Sequence, residues 1–318
     1  MGKNTIRLTM AQALVKYLCN QYILIDDKKE QLYAGVFGIF GHGNVTCLAE
    51  ALEQVKDTLP TWRGQNEQSM ALAGIAYSKS KLRQQIMIAT SSIGPGATNM
   101  LTASALAHAN RLPLLILSGD VFANRLPDPV LQQTENFADA TVSANDCFKP
   151  ISRFFDRITR PEQIIQSLPK AMSVLTDPAD CGPVTLSLCQ DVQSEAYNYP
   201  ETFFEPKVWK IRRQPCDFDE LENVIKKINS AQNPLIIVGG GVKYSGAKTE
   251  LENLINSTGI PFAVTQAGKS SLDETNSKFV GSIGVTGSSV ANELAKKSDL
   301  VNIKWSEKLL KQMKLKSW

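Results

Sequence analysis

Apolar positions along the chain fall into two patterns: short continuous runs, and runs spaced by three and four residues. The first marks buried strands and the second one-sided helices. Thr9-Met10-Ala11-Gln12 has the form of a capping box, and Met10, Leu14 and Leu18 then recur at helical spacing. A β-rich run over 32–40 ends in the glycine-dense turn Gly38-Ile39-Phe40-Gly41-His42-Gly43-Asn44. Asn44 is placed to cap a following helix whose Leu48, Leu52 and Val55 share a face. The alternation continues with a helix over 67–79, a strand over 85–90, the turn Ser92-Ile93-Gly94-Pro95-Gly96, a helix over 100–109 and a strand over 112–118. A helix over 161–175 and a buried strand over 183–188 follow. This order predicts an α/β fold, a mostly parallel sheet with helices on both faces.

The stretch 198–217 is rich in Pro and charge and has no clear period, so it reads as a connector. The expected organisation is a first domain over 1–200, a linker over 201–232 and a second α/β domain over 233–318. In the second domain a strand over 234–238, Gly239-Gly240-Gly241, a helix over 249–257, a strand over 260–265 and a helix over 289–297 are predicted. A strand beginning at Asp299-Leu300-Val301 should come next, but a Lys-rich run to Trp318 takes its place. The second domain is therefore expected to be incomplete.

Composition narrows the classes. A length of 318 residues accommodates two cores, and 43% hydrophobic with 20% charged residues is ordinary for a globular protein. A formal net charge of +3 gives no reason to expect nucleic acid or an anionic membrane as partner. Lys3 and Arg7 precede no long apolar core, and apolar runs such as 112–117 are strand-sized, so neither a secretory signal nor a membrane span is expected. Six scattered cysteines without a C-x-x-C pair, and only His42 and His108 beside them, argue for reduced thiols and against a zinc site. The expected location is the cytoplasm.

Four features could carry chemistry. Glu67, in Gly-Gln-Asn-Glu-Gln, opens a helix whose next turns are small and apolar; a carboxylate there can be catalytic or can simply complement the helix dipole. The run Ala89-Thr90-Ser91-Ser92-Ile93-Gly94-Pro95-Gly96-Ala97-Thr98-Asn99 ends a strand in a turn that presents backbone N–H groups, although an ordinary strand–helix turn uses the same residues. Gly239-Gly240-Gly241 follows a strand and precedes a helix but does not have the G-x-G-x-x-G spacing of a nucleotide loop. His42 lies in a glycine-rich loop able to project into a cleft; His108, in an apolar helix, reads as a hydrogen-bonded structural residue.

Together these segments resemble the pyrimidine-binding domain of the thiamine-diphosphate-dependent enzymes, the group that includes acetohydroxyacid synthase and pyruvate decarboxylase. The ordered set is the Gly-rich loop, N-E-Q-x-M opening a helix, A-T-S-S-I-G-P-G-A-T-N, and R-L-P-L-L-I-L-S-G-D. Within that group the resemblance is to the trihydroxycyclohexanedione hydrolase family. It rests on T-I-R-L-T-M-A-Q-A-L, G-V-F-G-I-F-G-H-G-N, D-P-V-L-Q-Q, N-D-C-F-K-P-I-S-R-F-F-D-R-I and C-Q-D-V-Q-S-E-A-Y-N-Y-P, and runs from about 5 to 301. The resemblance implies thiamine diphosphate and Mg²⁺ as cofactors, and Glu67 as the acid that shares a proton with N1′ of the aminopyrimidine ring so that C2 of the thiazolium can be deprotonated. Thr90, Pro95 and Asn99 match the turn beside that ring. His42 matches a loop position facing the substrate, and Gln132 and Gln133 match polar positions near the bound carbonyl. The implied reaction is hydrolysis of a C–C bond in a cyclic polyol 1,2-dione to 5-deoxyglucuronate in inositol catabolism, by a homo-oligomer. The second domain resembles the family's Rossmann-like middle domain.

The family's third domain, with the Gly-Asp-Gly motif and Asn that hold Mg²⁺ and the diphosphate, has no counterpart in the sequence. A truncated family member, inactive alone and weak in cofactor binding, is therefore expected. A non-catalytic subunit lending a pyrimidine half-site to a partner, and an acetohydroxyacid-synthase-like relative, are the other readings; the hydrolase motifs argue against the latter.

Overall fold

In a computed structural model, which describes residues 4–135, 138–211 and 217–302, the predicted alternation becomes two α/β units, Met1–Ile211 and Arg212–Trp318. In the first, six strands form a sheet in the spatial order Thr61–Arg63, Tyr33–Gly38, Ile86–Ser91, Leu114–Asp120, Pro183–Cys189, Phe154–Ile158. Every pairing in it is parallel. The three central strands, Ile86–Ser91, Leu114–Asp120 and Pro183–Cys189, are buried at every residue. Since alternate side chains point to opposite faces, a fully buried strand means a sheet covered on both sides, which is why 86–89 and 114–117 read as continuous apolar stretches, while Thr185 and Ser187 are buried polar residues of Pro183–Cys189.

Local signals hold where they are strong. Thr9 Oγ1 accepts from the Gln12 N–H at 3.2 Å and Gln12 Oε1 from the Thr9 N–H at 3.1 Å, the reciprocal capping box that starts the helix Met10–Cys19. Its Met10, Leu14 and Leu18 are completely buried in the core, each contributing roughly 1.5–3 kcal/mol of transfer free energy. Asn44 departs from expectation. It does not cap the next helix, Cys47–Glu53, whose N-cap position is Thr46 without a side-chain bond. Asn44 instead accepts from the Gly41 N–H (2.9 Å) and donates to the Ile39 carbonyl (3.1 Å) and to Thr90 Oγ1 (3.2 Å). Its side chain is used up within its own loop and on the neighbouring strand Ile86–Ser91.

The linker expected over 201–232 is largely regular structure. Ala196–Pro200 pairs antiparallel with Thr5–Thr9, Glu201–Phe204 is a 3₁₀ turn, and Lys207–Lys210 pairs parallel with Gln21–Ile25. Trp209 Nε1 donates to Gln21 Oε1 at 2.9 Å, and Gln21 is fully buried. Residues 201–211 thus belong to the first unit, and the strand Gln21–Ile25, joined to Lys28–Gln31 through the left-handed pair Asp26 and Asp27, gives them a place to dock. Within the second unit, Asp217 caps a helix over Phe218–Ser230 by accepting from the Asp219 and Glu220 N–H groups. Of the stretch 198–217, residues 212–216 lie outside the described residues.

The second unit has a four-stranded parallel sheet in the order Phe279–Ser282, Phe262–Val264, Pro234–Val238, Leu300–Asn302. The strand predicted to begin near 299 therefore forms, next to Pro234–Val238; the Lys-rich run after 302 lies outside the described residues. Among the described residues no helix is long and apolar enough to cross a membrane.

Five free cysteines are described, and Cys216 lies outside that set. Burial pushes the half-buried Cys19 thiol up to about 11, while Cys147 is exposed. Because the thiolate is the nucleophile, a raised pKa keeps Cys19 protonated at neutral pH. Alkylation by iodoacetamide at pH 8 is expected to modify Cys147 at least about tenfold faster than Cys19, with the Cys19 rate climbing roughly tenfold per pH unit towards 11. Mass spectrometry of the alkylated peptides checks this.

Candidate functional site

The sheet order places a topological switch between Tyr33–Gly38 and Ile86–Ser91: the chain leaves the former towards the edge strand Thr61–Arg63 and the latter towards Leu114–Asp120. In open parallel sheets, ligands bind outside the carboxyl ends of the strands at such a point. Four connections start on that edge. They are 39–46 with His42, 64–66 leading to Glu67, 92–94 leading to Pro95, and 121–143 with Gln132 and Gln133.

Glu67 is the first residue of the helix Glu67–Ser80, whose N-cap Asn66 accepts from the Ser69 N–H at 2.9 Å. With the cap already supplied, the Glu67 side chain is free for a distant contact. Asn99 Nδ2 donates to Glu67 Oε2 at 2.7 Å across 32 residues. Oε1 faces Gly96: a Cβ built there would lie 3.4 Å from it. Glu67, Gly96 and Asn99 are thus one cluster, more than complementing a helix dipole requires. Pro95 occupies the first position of the short helix Pro95–Thr98, where its fixed φ is already helical, and is exposed.

Thr90 is completely buried, and its hydroxyl accepts from Asn44. It offers no surface to a ligand and serves to hold the His42 loop against the Ile86–Ser91 strand. Two backbone bonds complete that junction: Ile39 N–H to the Thr90 carbonyl (3.1 Å) and Ile93 N–H to the His42 carbonyl (3.0 Å). Gln193 Nε2 also donates to the Gly43 carbonyl at 2.5 Å. Gly43 has φ +92°, and a side chain there would collide with Ile93. Within this pinned loop, His42 Nε2 is buried without a hydrogen-bond partner. Such orphaned buried polar atoms are rare in native proteins and call for an explanation.

Gln132 and Gln133 separate in role. Gln132 is exposed with φ +65°, and its Oε1 lies 3.7 Å from where a Gly41 Cβ would stand. It joins the His42 loop and the Gly94 turn. Gln133 does not: its Oε1 accepts from the Val130 N–H at 2.8 Å, closing its own turn. Of the two expected site residues, only Gln132 thus reaches the His42 loop and the Gly94 turn. His108 also departs from expectation, since its Nδ1 is buried without a partner. Sequence reasoning missed Asp120, a buried carboxylate at the carboxyl end of Leu114–Asp120; the one available signal was an acid closing an apolar run.

In the second unit, glycines serve loop packing. A Cβ at Gly240 would lie 3.1 Å from the Ala267 carbonyl oxygen, and one at Gly268 would collide with the Val238 carbonyl. The loops after Pro234–Val238 and Phe262–Val264 therefore press on each other. Among the described residues no group of three or more His, Cys, Asp and Glu side chains is placed to hold a metal ion.

Residues 23–140 match the family model described as thiamine pyrophosphate enzyme, N-terminal TPP binding domain, and residues 221–303 match thiamine pyrophosphate enzyme, central domain. His42, Glu67, Thr90, Pro95, Asn99, Gln132 and Gln133 all fall inside the first match. The chain thus carries the N-terminal and central domains of the thiamine pyrophosphate enzymes. Its similarity within them is to 3D-(3,5/4)-trihydroxycyclohexane-1,2-dione hydrolases. It is 50% identical over 298 residues to that of Geobacillus thermodenitrificans (strain NG80-2), covering 94% of this chain and 47% of that protein. It is 48% identical over 297 residues to that of Bacillus cereus (strain AH820), covering 93% and 46%. The chain spans about half the length of the curated relatives it matches.

Proposed function

We propose that the chain forms the pyrimidine side of the active site of a thiamine-diphosphate-dependent hydrolase that opens a cyclic polyol 1,2-dione. The observation that carries the reading is the Glu67–Asn99–Gly96 cluster at the switch point of a chain 50% identical to a trihydroxycyclohexanedione hydrolase. The residues fit an aminopyrimidine ring. Oε2 of Glu67 is held by Asn99, leaving Oε1 beside Gly96, whose missing side chain makes room there for the Ser92 hydroxyl. Bound thiamine diphosphate supplies the carbon nucleophile for C–C cleavage. Glu67 holds or releases the proton shared with the ring's N1′. Asn99 fixes the carboxylate's orientation. Pro95 and the Gly94 turn shape the wall beside the ring, and Thr90 anchors that wall from behind. His42 and Gln132 face the substrate side, and the buried, unpartnered His42 Nε2 is a polar atom whose missing contact a substrate oxygen would supply. Mg²⁺ is proposed for the diphosphate and is assigned to none of the described side chains. The proposed net reaction adds one water to the dione and yields 5-deoxyglucuronate, an inositol-derived product, in the cytoplasm.

A homo-oligomer is part of the reading. The helices Glu67–Ser80 and Leu101–Asn110 expose Ala73, Ala76, Ala105 and Leu106, with Leu106 at 45%. An apolar helix face of that kind is ordinarily covered by another surface.

The test is a chimera in which residues 1–302 are joined to the remaining half of the Geobacillus thermodenitrificans relative. With thiamine diphosphate and Mg²⁺ it is expected to convert the dione to 5-deoxyglucuronate. Turnover independent of added cofactor would contradict the reading. In that chimera, His42→Ala and Gln132→Ala are each expected to lower kcat/KM by about tenfold or more while thiamine diphosphate affinity stays within about threefold. A steady-state titration of substrate and cofactor separates the two effects; a large loss of cofactor affinity in either variant sinks the substrate-side assignment.

A further inference from the structure

Residues 121–143 link the strand Leu114–Asp120 to the 3₁₀ helix Ala144–Ile151 without a strand or helix among the described residues, yet they carry Gln132 to the Gly94 turn. A long irregular segment needs an anchor to keep one side chain in place. The anchor visible in the structure is Asp120, only 1% exposed. Its two oxygens divide their work. Oδ1 accepts from the Val121 N–H at 2.8 Å and from the Ser143 hydroxyl at 2.7 Å, the first and last residues of the segment. Oδ2 accepts from Arg157 Nε at 2.6 Å and from Ser187 Oγ at 2.5 Å, on the strands Phe154–Ile158 and Pro183–Cys189. One carboxylate thus ties both ends of the segment to two strands of the sheet.

The surroundings are built for this. A buried charge is tolerated when it is paired and fully hydrogen-bonded, and Asp120 has four donors. Burial works most strongly against the Arg157 charge, but the Asp120 carboxylate and its hydrogen bond, with Cys189 and Asp146, together leave Arg157 above the usual arginine range. Asn145, also 1% exposed, donates to the Gly119 carbonyl (2.9 Å) and to Ser187 Oγ (2.8 Å) and accepts from Ser118 Oγ (3.1 Å), which locks the far end of the segment to the same strands. Asp191 accepts from the Ala123 and Asn124 N–H groups at 2.8 and 3.0 Å, and Glu135 from the Thr134 and Ala144 N–H groups at 3.1 and 2.9 Å. At the other end of this tether, the Gln132 carbonyl lies where a Cβ on Gly94 would collide with it.

We propose that Asp120 is a positioning residue for Gln132: it fastens both ends of segment 121–143 to the sheet and so holds Gln132 against the Gly94 turn. Its consequence for substrate rests on the proposed function, in which Gln132 lines the pocket; the fastening itself does not. A carboxylate that only stabilised the sheet would need no bonds to Val121 and Ser143.

Limited trypsin digestion of the chain reads the fastening directly, because Arg125 is exposed within the segment and cleavage tracks the population of locally open molecules. Ser143→Ala removes one Oδ1 partner, together with the hydroxyl that accepts from the Asn145 N–H at 3.3 Å, and leaves the Asp120–Arg157 pair intact. It is expected to speed cleavage after Arg125 by roughly tenfold, and Asp120→Asn by more, with cleavage elsewhere in residues 1–211 changed less than about twofold. Ser143→Thr, which keeps the hydroxyl, is expected to cleave at the wild-type rate. Unchanged cleavage after Arg125 in Ser143→Ala, or a rise in step with every other site, overturns the proposal. Should Asp120→Asn fail to fold, the Ser143 pair decides alone. In the chimera, Ser143→Ala is expected to raise KM for the dione as Gln132→Ala does. Faster cleavage with an unchanged KM leaves the fastening standing and removes Gln132 from the pocket.

Discussion

Glu67→Gln is expected to slow hydrogen–deuterium exchange at the thiazolium C2 of bound cofactor by roughly two orders of magnitude or more in the chimera, the scale of a positioned acid–base group. The substitution is a clean one. Glutamine has nearly the same shape, and its amide oxygen can still accept from Asn99 Nδ2, now at 2.7 Å from Oε2. The helix start survives as well, because Asn66 rather than Glu67 provides the cap. What disappears is the ability to hold a proton at the ring nitrogen. Exchange followed by proton NMR after acid quench gives the rate, and a wild-type rate removes Glu67 from its assigned role.

Gly94→Ala is expected to give the largest loss of stability among the site variants, about 2–4 kcal/mol, from a strained backbone and a steric clash together. Gly94 adopts φ +57° and ψ −115°, a conformation open in practice to glycine alone. A methyl there would also meet the Gln132 carbonyl and lie 3.2 Å from Thr134 Cγ2. For a unit of this size the cost corresponds to a fall in Tm of roughly 5–10 °C. Gly241→Ala supplies the control: nothing lies within 4 Å of its Cβ position and no positive φ is recorded for it, so its effect should stay within about 0.5 kcal/mol. Thermal unfolding followed by circular dichroism compares the two, and equal Tm values would contradict the account of the turn.

Much of this fold was legible in the sequence because its signals are local. The fully buried strands Ile86–Ser91 and Leu114–Asp120 begin as continuous apolar runs, and the capping box at Thr9 is visible in four residues. What failed depended on contacts distant in sequence. Lys207–Lys210 looks like a charged connector until Gln21–Ile25 gives it a partner 186 residues away. Asn44 has the residue type of a helix cap, but Thr90, brought alongside by the sheet, takes its amide instead. The pairing of Glu67 with Asn99 was readable because their motifs travel together along the chain. The division between Gln132 and Gln133 was not: adjacent residues of the same type differ only in that one side chain folds back onto Val130. Asp120 was invisible for the same reason, its four donors coming from Val121, Ser143, Arg157 and Ser187.

The central claim is that the pyrimidine half of the cofactor meets this chain at the switch point of the first sheet, between Glu67 and the Gly94 turn. Amide hydrogen exchange of the chimera with and without thiamine diphosphate and Mg²⁺, resolved by mass spectrometry, tests it most directly. The account predicts protection on cofactor addition at residues 64–70 and 92–99, reduced by Glu67→Gln only in so far as binding weakens. Protection confined to 239–241 and 266–271 in the second unit, with 64–70 and 92–99 unchanged, would contradict it.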